Sequence, residues 1–575
     1  MQQSIKPKLF TVIREYNREQ FAKDVVAGVL VGIIAIPLSI ALAIASGVGP
    51  EMGLYTAAVA GFLISFFGGS RVQIGGPTAA FVPVVYGVVQ QYGVEGLAVA
   101  AIMAGGLLIL MGVLRLGGMI KYIPYPVVTG FTAGIAVAIG VKQLRDLMGM
   151  EIDRLPGDFV GMCEVYWANM DGVDWGTILV GLLSLIVIVC WGRLPWGWVK
   201  YLPGSLIAIV MATVGVMLFK LEGVATIGSR FSGLEGGLPR LTVPSGVDWV
   251  MVKDLIGPAV TIAVLAGVES LLSAVVSDGM IGGHHRSNAE LVGQGLANIG
   301  SAMFGGIPAT GAIARTAANV RSGGRTPMAG LVHAGVVMLV VVVLMPYAKM
   351  IPLTTLAAVL LVVAYNMGDW VAFRDLGKGP KSDGVVFLLT FGLTVVFDLV
   401  VAIEIGLILA VFLFMKRMAD VSEVKILDEG AGVCDELDDD AVRGDMLSKY
   451  QGELVLYEIK GPFFFGAADK FVDVTRKLGA STKGIILKME NVPAMDGTGL
   501  HHLETFVGVC ERSGIRLYLV DVQKQPKRVL DKRGLMQRYS FIAFCADIRE
   551  AVERYGRDRQ GMAEALPDRE VLLGN

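Results

Sequence analysis

Two stretches that contain glycine and proline interrupt long apolar segments of the sequence. Residues 75–81 read GGPTAAF, and residues 304–315 read FGGIPATGAIAR. If each stretch crosses half a membrane as extended chain, the helix that follows directs its first N–H groups and its positive dipole end toward the bilayer centre, where they can bind an anion. Arg315 adds a full positive charge to the second helix start. The residues of this predicted anion site are Thr78, Ala79, Ala80, Phe81, Gly311, Ala312, Ile313, Ala314 and Arg315.

Two interrupted segments in one membrane protein favour a binding site over a packing irregularity. Irregular backbone at membrane depth is tolerated only where protein or a water-filled cavity satisfies its polar groups. Paired interruptions in corresponding halves are typical of transporters built from inverted repeats. The alternative is that both stretches are ordinary kinks between packed helices, with Arg315 extending to the membrane interface.

A single acidic residue stands in the middle of the apolar segment 257–280. Glu269 costs several kcal/mol at this depth unless it is paired, hydrated or protonated. Because burial disfavours the charged form of a carboxyl group, Glu269 is a candidate proton carrier. Ser273 lies one helical turn further along the same face and could share this proton-coupling site. The alternative is a neutral glutamic acid that only hydrogen-bonds a neighbouring helix.

The composition requires a membrane to surround these residues. Of the 575 residues 54% are hydrophobic and 17% charged, and the mean hydropathy is +0.63, which excludes a soluble globular protein of this length. A net charge of −2 without a basic tract gives no indication of a nucleic-acid partner. The sequence has no G-x-x-x-x-G-K-[ST] phosphate loop, and its five cysteines lack metal-site spacing. We therefore expect a secondary transporter that is not an enzyme, with no metal or cofactor and a proton, or alternatively sodium, as coupling ion.

Apolar runs separated by charged and turn residues predict about fourteen membrane segments. They lie near 25–48, 52–68, 76–90, 96–114, 122–146, 176–193, 201–220, 255–279, 289–304, 310–321, 327–347, 351–368, 384–398 and 400–416. Lysine and arginine are enriched at the ends that an alternating count puts on one side, whereas the loop 149–175 is acidic. The positive-inside rule then predicts a multi-pass membrane protein with both termini in the cytoplasm.

Beyond residue 418 the pattern changes to that of a small α/β domain. Predicted strands at 453–461, 484–492 and 516–522 alternate with predicted helices at 467–479, 498–513, 525–534 and 547–556. The expected divisions are an N-terminal segment 1–24, a transport domain 25–418, a linker 419–452, the α/β domain 453–556 and a tail 557–575.

Residues 75–81, 266–280 and 287–330, followed by the α/β domain, resemble the SulP anion-permease family, in which a membrane transport domain precedes a C-terminal STAS domain. The resemblance implies a polytopic α-helical membrane protein with fourteen segments in two inverted seven-segment repeats, and a core domain that moves against a gate domain. It also implies a homodimer among the lipids of a bacterial cytoplasmic (inner) membrane, with a small anion bound between residues 78–81 and 312–315. The acid of the eighth segment is Glu269.

The STAS resemblance also indicates one candidate regulatory residue. Relatives among the anti-sigma-factor antagonists carry a phosphorylatable serine in a D-S-[ST]-G stretch, where this chain has Asp496, Gly497, Thr498 and Gly499. Thr498 retains a hydroxyl, but Gly497 departs from the pattern. The alternative is a module that supports a dimer or binds a cytoplasmic protein partner.

Within the family, residues 28–61, 290–299 and 312–321 look most like members that carry C4-dicarboxylates. The first hypothesis is therefore proton-coupled uptake of succinate or fumarate by alternating access. Sodium-coupled bicarbonate carriers of the family typically have an aspartate where Glu269 stands, so the glutamate favours proton coupling. One alternative is proton- or sodium-coupled transport of sulfate or bicarbonate, and another is an anion channel or a membrane-tethered STAS sensor.

Overall fold

The computed structural model describes most of the chain, and its contacts divide it into two compact units, Met1–Ala410 and Val411–Asn575. The described residues are 5–13, 16–118, 124–152, 155–156, 159–195, 199, 202–221, 223–231, 237–245, 248–376, 378–396, 399–421, 423–426, 449–450, 452–464 and 481–564.

The first half of the membrane unit contains six long helices and a two-residue strand. Helix α1 begins at Arg18, ahead of the apolar run at 25, because the side chain of Asn17 accepts the N–H of Gln20 and caps the helix. The elements are α1 (Arg18–Ala45), α2 (Pro50–Phe67), β1 (Gly75–Gly76), α3 (Val82–Val113), α4 (Tyr125–Lys142), α5 (Trp175–Trp191) and α6 (Gly204–Phe219).

The second half repeats this plan. Its first helix ends at Gly282, whose left-handed conformation stops the helix before the polar loop that follows. The elements are α7 (Ile256–Ile281), α8 (Ser287–Met303), β2 (Thr310–Gly311), α9 (Ile313–Arg321), α10 (Met328–Ala348), α11 (Leu353–Met367), α12 (Lys381–Val396) and α13 (Leu399–Val421). Short helices stand at Leu9–Val12, Leu144–Met148, Phe159–Ala168, Ile227–Arg230, Trp249–Asp254 and Trp370–Asp375.

The long helix α3 contains two of the predicted segments, because Gly93 has non-helical backbone angles (φ 69°, ψ −169°) inside it. Counted in this way, the helices of the described residues form fourteen segments, seven in each half, which is the number predicted from the sequence. By length and composition alone, six spans among the described residues are long and apolar enough to cross a membrane. These are Arg18–Ala45, Pro50–Phe67, Ala79–Val113, Tyr125–Met148, Ile256–Ile281 and Leu353–Asp375.

Packing partners are exchanged between the two halves, which is the signature of inverted repeats. The first segment of the first half, α1, packs on the fourth of the second half, α10, and α7 packs on α3 in the reciprocal arrangement. The α2–α10 and α8–α3 contacts form a second reciprocal pair, and α4–α12 and α5–α11 form a third. These contacts define a core bundle (α1–α3 and α7–α10) and a gate bundle (α4–α6, α11 and α12).

Glycines allow a close helix crossing within the core bundle. A Cβ atom at Gly105 of α3 would lie 2.6 Å from the carbonyl oxygen of Gly295 of α8, and a Cβ at Gly295 would lie 2.5 Å from that of Gly105. Small residues of this kind let membrane helices approach backbone to backbone. α3, which follows the first interrupted stretch, and α8, which precedes the second, are therefore held in close contact.

The second unit is an α/β domain with a five-stranded sheet. Its strand order is β3-β4-β5-β6-β7, with β3 antiparallel to β4 and the other neighbours parallel. Alternate residues of β5 face opposite sides of the sheet: Ile485 and Leu487 pack with α14, and Ile486 packs with α16. The elements are β3 (Glu423–Ile426), β4 (Leu454–Lys460), β5 (Gly484–Asn491), α14 (Gly497–Arg512), β6 (Arg516–Val520), α15 (Lys524–Lys532), β7 (Ile542–Cys545) and α16 (Ile548–Glu564).

Two strands of this sheet are absent from the sequence prediction. β3 lies within the range 419–452 that the sequence assigns to a linker, and β7 occupies a stretch between two predicted helices. Both strands have four residues, too few for a clear alternating pattern, and both are fixed by pairing with a neighbouring strand. The predicted helix 467–479 lies outside the described residues.

Candidate anion-binding site

The two interrupted stretches meet as a short antiparallel pair of strands. Gly75 of β1 lies opposite Gly311 of β2, and Gly76 lies opposite Thr310. The N–H of Ala312 extends the pairing by donating to the carbonyl oxygen of Ile74 at 2.9 Å. We call this pair of strands, Gly75–Gly76 with Thr310–Gly311, the strand crossing. Because the strands are antiparallel, the helices that follow them leave the strand crossing in opposite directions, and the N-termini of these helices face it from two sides.

Neither helix start has a side-chain cap. On the α3 side, Thr78 precedes a 3-10 turn of the buried residues Ala79, Ala80 and Phe81, which leads into α3. On the other side, Gly311 belongs to β2 and α9 begins at Ile313, with Ala312 as its uncapped N-cap residue. The helix therefore begins two residues after the predicted start near Gly311, because Gly311 is paired in β2. Ile313 and Ala314 are exposed beside this second helix start.

Arg315 lies in the first turn of α9 and is only 2% exposed. Its Nη2 donates a hydrogen bond of 2.6 Å to the carbonyl oxygen of Pro77, so the guanidinium group reaches across the strand crossing to the other interrupted stretch. Its Nε and Nη1 have no hydrogen-bond partner among the described residues. A Cβ atom at Gly76 would overlap Nη1, so glycine is required there to admit the side chain.

Glu269 contacts the first helix start directly. Its Oε2 accepts a hydrogen bond of 2.9 Å from the hydroxyl of Thr78, which occupies the N-cap position of the 3-10 turn. The same helix, α7, also holds the second stretch, because the carbonyl oxygen of Ala266 accepts a 2.9 Å hydrogen bond from the Thr310 hydroxyl. The acidic residue and the strand crossing are thus linked by α7.

Ser273 is buried one turn beyond Glu269, but it bonds to another residue. Its hydroxyl donates to Oγ1 of Thr316 at 3.3 Å, and that oxygen also accepts the N–H of Ile74 at 3.1 Å. Ser273 therefore connects α7 to α9 and to the residue before β1. No direct hydrogen bond between Ser273 and Glu269 is present among the described contacts.

Several buried polar residues that the sequence analysis did not single out hold the extended stretches in place. Asn298 of α8 brackets Ala309, accepting its N–H at 2.9 Å and donating to its carbonyl oxygen at 2.8 Å. Thr56 accepts the N–H of Ile307 at 2.7 Å. These contacts satisfy backbone groups that would otherwise be unpaired in the membrane. The signal that the sequence offers for these residues is that they are polar and stand in otherwise apolar segments.

His333 of α10 is a further buried group near β1. A Cβ atom at Gly61 would lie 3.3 Å from the carbonyl oxygen of Gly75 and 3.4 Å from Nδ1 of His333. The imidazole is fully buried, and both of its ring nitrogens lack a hydrogen-bond partner among the described residues. It is the third of the five histidines in the sequence, and it has no neighbour in the chain that would single it out.

Thr498 belongs to the second unit, at the start of α14. It is exposed, and the neighbouring Asp496 caps the helix by accepting the N–H of Gly499 at 2.7 Å. A regulatory role for Thr498 stays a prediction. In both units, the described residues contain no group of three or more His, Cys, Asp or Glu side chains that could hold a metal ion.

The fold and the strand crossing define a class: a multi-pass membrane transporter of small anions. The profile of the Sulfate permease family matches residues 21–390, and that of the STAS domain matches residues 446–551. The chain belongs to the sulfate permease (SulP) family, with a C-terminal STAS domain.

Similarity to known proteins in sequence and in structure supports this assignment. The chain is 39% identical over 525 residues to the putative sulfate transporter YvdB of Bacillus subtilis, covering 91% of this chain and 96% of that one. It is 30% identical over 561 residues to the bicarbonate transporter BicA of Synechocystis, covering 96% and 94%. The solved structure of SLC26A9 has a TM-score of 0.82 at 18% identity, covering 97% of this chain and 93% of that chain, which shows the shared fold.

The expected likeness to dicarboxylate carriers has no support from these relatives. Their names are those of sulfate and bicarbonate transporters. Transport of a dicarboxylate, which the resemblance of residues 28–61, 290–299 and 312–321 suggests, therefore stays a prediction.

Proposed function

We propose that the chain is a proton-coupled carrier that moves a small inorganic oxyanion, with sulfate as the first candidate, by alternating access. The observation that supports it is the convergence of two uncapped helix starts on Arg315, with Glu269 bonded to one of them through Thr78. The anion lies at the strand crossing, where it accepts hydrogen bonds from backbone N–H groups and from Nε and Nη1 of Arg315.

The charges at the strand crossing favour a dianion when Glu269 is protonated. Two helix ends of about +0.5 each and one guanidinium group give about +2, and an ionised Glu269 lowers the sum to about +1. A dianion such as sulfate is therefore matched only by the protonated form. Binding of the anion and binding of the proton then favour each other, which is the thermodynamic basis of symport.

Thr78 provides a structural link between these two binding events. Its hydroxyl donates to Glu269 in the structure and leaves the helix start uncapped. When Glu269 is protonated it no longer requires this donor, and the hydroxyl is free to turn toward an anion at the helix start. The Thr78 hydroxyl is thus shared between the proton site and the anion site.

Bicarbonate is the second candidate, because two of the similar proteins are bicarbonate transporters named BicA. A monoanion matches the net charge of about +1 that remains when Glu269 is ionised. Bicarbonate would therefore move without an obligatory proton on Glu269.

We propose that the chain assembles as a homodimer in the bacterial inner membrane, with both termini in the cytoplasm and no cofactor. The STAS domain then faces the cytoplasm, where it supports the dimer or binds a protein partner.

The test is uptake by the purified full-length protein in proteoliposomes. Radiolabelled sulfate, bicarbonate and succinate are supplied in turn, each with and without an inward proton or sodium gradient. We expect saturable sulfate uptake that the proton gradient accelerates and that internal unlabelled sulfate stimulates by exchange. Dominant sodium-driven bicarbonate uptake or dominant succinate uptake would replace sulfate, and flux that neither saturates nor exchanges would indicate a channel.

A further inference from the structure

A cavity lies between the core bundle and the gate bundle, beside the first helix start. Its volume is about 470 Å³, and its walls come from the first turns of α3, the end of α4 and the end of α12. Pro156 and Phe159 close it from the segment that precedes α5. Because this segment belongs to the acidic loop 149–175, the positive-inside rule puts the cavity on the outer side of the membrane.

The cavity leads toward the strand crossing. Val82 and Pro83, which line it, directly follow the 3-10 turn Ala79–Phe81 of the first helix start. Tyr86, another lining residue, follows Val82 by four residues and so lies about 6 Å further outward along α3, given a rise of 1.5 Å per residue. An anion that enters through the cavity therefore passes Tyr86 before it reaches the helix start.

Among the described residues that line this cavity, Lys142 is the one cation. Its Nζ lies 3.0 Å from the centroid of the Tyr86 ring, a cation–π contact that holds the ammonium group in position. The Tyr86 ring is itself fixed, because its hydroxyl donates to the carbonyl oxygen of Leu155 at 3.1 Å. The ammonium group therefore has a defined place in the cavity wall.

The described residues provide no carboxylate in ion-pair contact with Lys142. The nearest acid along the chain, Asp146, is paired with Arg145 at 3.1 Å and Arg230 at 2.8 Å. The other charged lining residue, Asp254, accepts a 3.3 Å hydrogen bond from the Tyr92 hydroxyl. A cation over an aromatic ring keeps N–H donors on its open side, and these donors suit an oxyanion.

We propose that Lys142, positioned by Tyr86, forms a second anion site in this cavity, where a small oxyanion binds transiently before it enters the strand crossing. This inference rests on the proposed transport of such an anion. A fixed positive charge in a cleft raises the local anion concentration and the rate of encounter. Lys142 thus contributes to the apparent affinity for external anion, in addition to the affinity of the strand crossing itself.

Uptake kinetics of Lys142→Met and Lys142→Arg in proteoliposomes test this role. We expect Lys142→Met to raise the KM for external sulfate on the order of tenfold with little change in kcat, and to weaken the dependence of kcat/KM on ionic strength. Lys142→Arg should restore both. The control is Lys349→Met, which removes an exposed lysine at the same end of the helices and should leave KM unchanged. An unchanged KM in Lys142→Met, with active wild-type protein, overturns the second site.

A binding measurement separates this inference from the transport proposal. Purified full-length protein with Arg315→Gln is acetylated with an amine-reactive ester, and modification of each lysine is followed by mass spectrometry. Sulfate should slow acetylation of Lys142 but not of Lys349, compared with gluconate at the same ionic strength. Equal protection of the two lysines, or none, overturns the site whether or not the wild-type protein transports sulfate.

Discussion

Arg315 is a buried guanidinium group whose described hydrogen bond is to a backbone carbonyl, and its nitrogens Nε and Nη1 have no partner among the described residues. A buried charge without a counter-charge is costly, by several kcal/mol per ion after relaxation. An anion at the strand crossing, as proposed, would offset this cost and accept hydrogen bonds from these nitrogens. At the other helix start, Glu269 provides a carboxyl group that accepts a hydrogen bond from the Thr78 hydroxyl. At the residue scale, the site thus combines one fixed positive charge with one carboxyl group that a proton can neutralise.

Replacement of Glu269 by glutamine separates coupling from binding. Glutamine keeps the size of the side chain and can still accept the Thr78 hydrogen bond, but it cannot release a proton. We expect Glu269→Gln to abolish proton-driven accumulation of sulfate while exchange of internal for external sulfate continues. The measurement is uptake against a concentration gradient, followed in parallel with exchange at equal concentrations.

Glu269→Asp serves as the control for this prediction, because it retains the titratable group. It should keep some proton-driven accumulation. Accumulation by Glu269→Gln at the wild-type level would contradict the assignment of the proton to this residue.

The sequence predicts the residues of the site better than their contacts. Arg315 and Glu269 stand out because charged groups are rare in apolar segments. The Thr78–Glu269 bond and the Ser273–Thr316 bond depend on how α7 packs against the strand crossing, and no local pattern carries that information. His333 and Asn298 are isolated polar residues whose surroundings appear only in the fold.

At the element scale, the decisive feature is a pair of strands with two residues each. The strands fix the relative positions of two helix starts that are more than 200 residues apart in the chain. The sequence predicts both interruptions but not their pairing, because a two-residue strand has no periodicity and its partner is distant. Pairing also explains why α9 begins at Ile313 rather than near Gly311.

Replacement of Gly76 by alanine tests this arrangement. The added Cβ overlaps Nη1 of Arg315, so the guanidinium group or the strand must move. Overpacking of this kind costs about 1–3 kcal/mol of stability. Loss of a hydrogen bond from the displaced guanidinium group to the anion, about 1.5–3 kcal/mol, should raise the KM for sulfate roughly tenfold or more. The measurement is the KM for sulfate, with the melting temperature recorded for the same preparation.

Gly106→Ala is the matched control, because a Cβ at Gly106 meets no atom within 4 Å. It should leave both KM and melting temperature at the wild-type values. A wild-type KM in Gly76→Ala would show that the position of Arg315 does not limit anion binding.

At the scale of the whole molecule, the reciprocal helix contacts make each bundle a composite of both halves. The core bundle holds the strand crossing, and the gate bundle packs beside it through contacts such as that between α11 and α1. The apolar runs of the sequence predict the number of membrane segments, and the alternation of strand and helix patterns predicts the α/β domain. The exchange of partners between halves is a property of tertiary packing, so it is seen only in the structure.

The orientation in the membrane is tested by the reactivity of native cysteines. Cys163 is exposed in the helix Phe159–Ala168 of the acidic loop, which the positive-inside rule puts outside. Burial raises the pKa of Cys510 to about 12 and that of Cys545 to about 11, so these STAS thiols are mostly protonated and react slowly at neutral pH. We expect a membrane-impermeant maleimide to label intact spheroplasts at Cys163.

The Cys163→Ser variant should lose this external labelling. If external labelling persists in Cys163→Ser, and Cys163 reacts only after the membrane is permeabilised, the orientation is the reverse of the one proposed.

The most direct test of the anion site is equilibrium binding of radiolabelled sulfate to purified protein with Arg315→Gln. The matched control is Arg321→Gln, which removes an exposed arginine from the other end of α9. Hydrogen bonds to charged groups contribute about 1.5–3 kcal/mol, so Arg315→Gln should weaken binding by roughly tenfold or more, whereas Arg321→Gln should bind as the wild type does. An unchanged Kd in Arg315→Gln would contradict an anion site at the strand crossing.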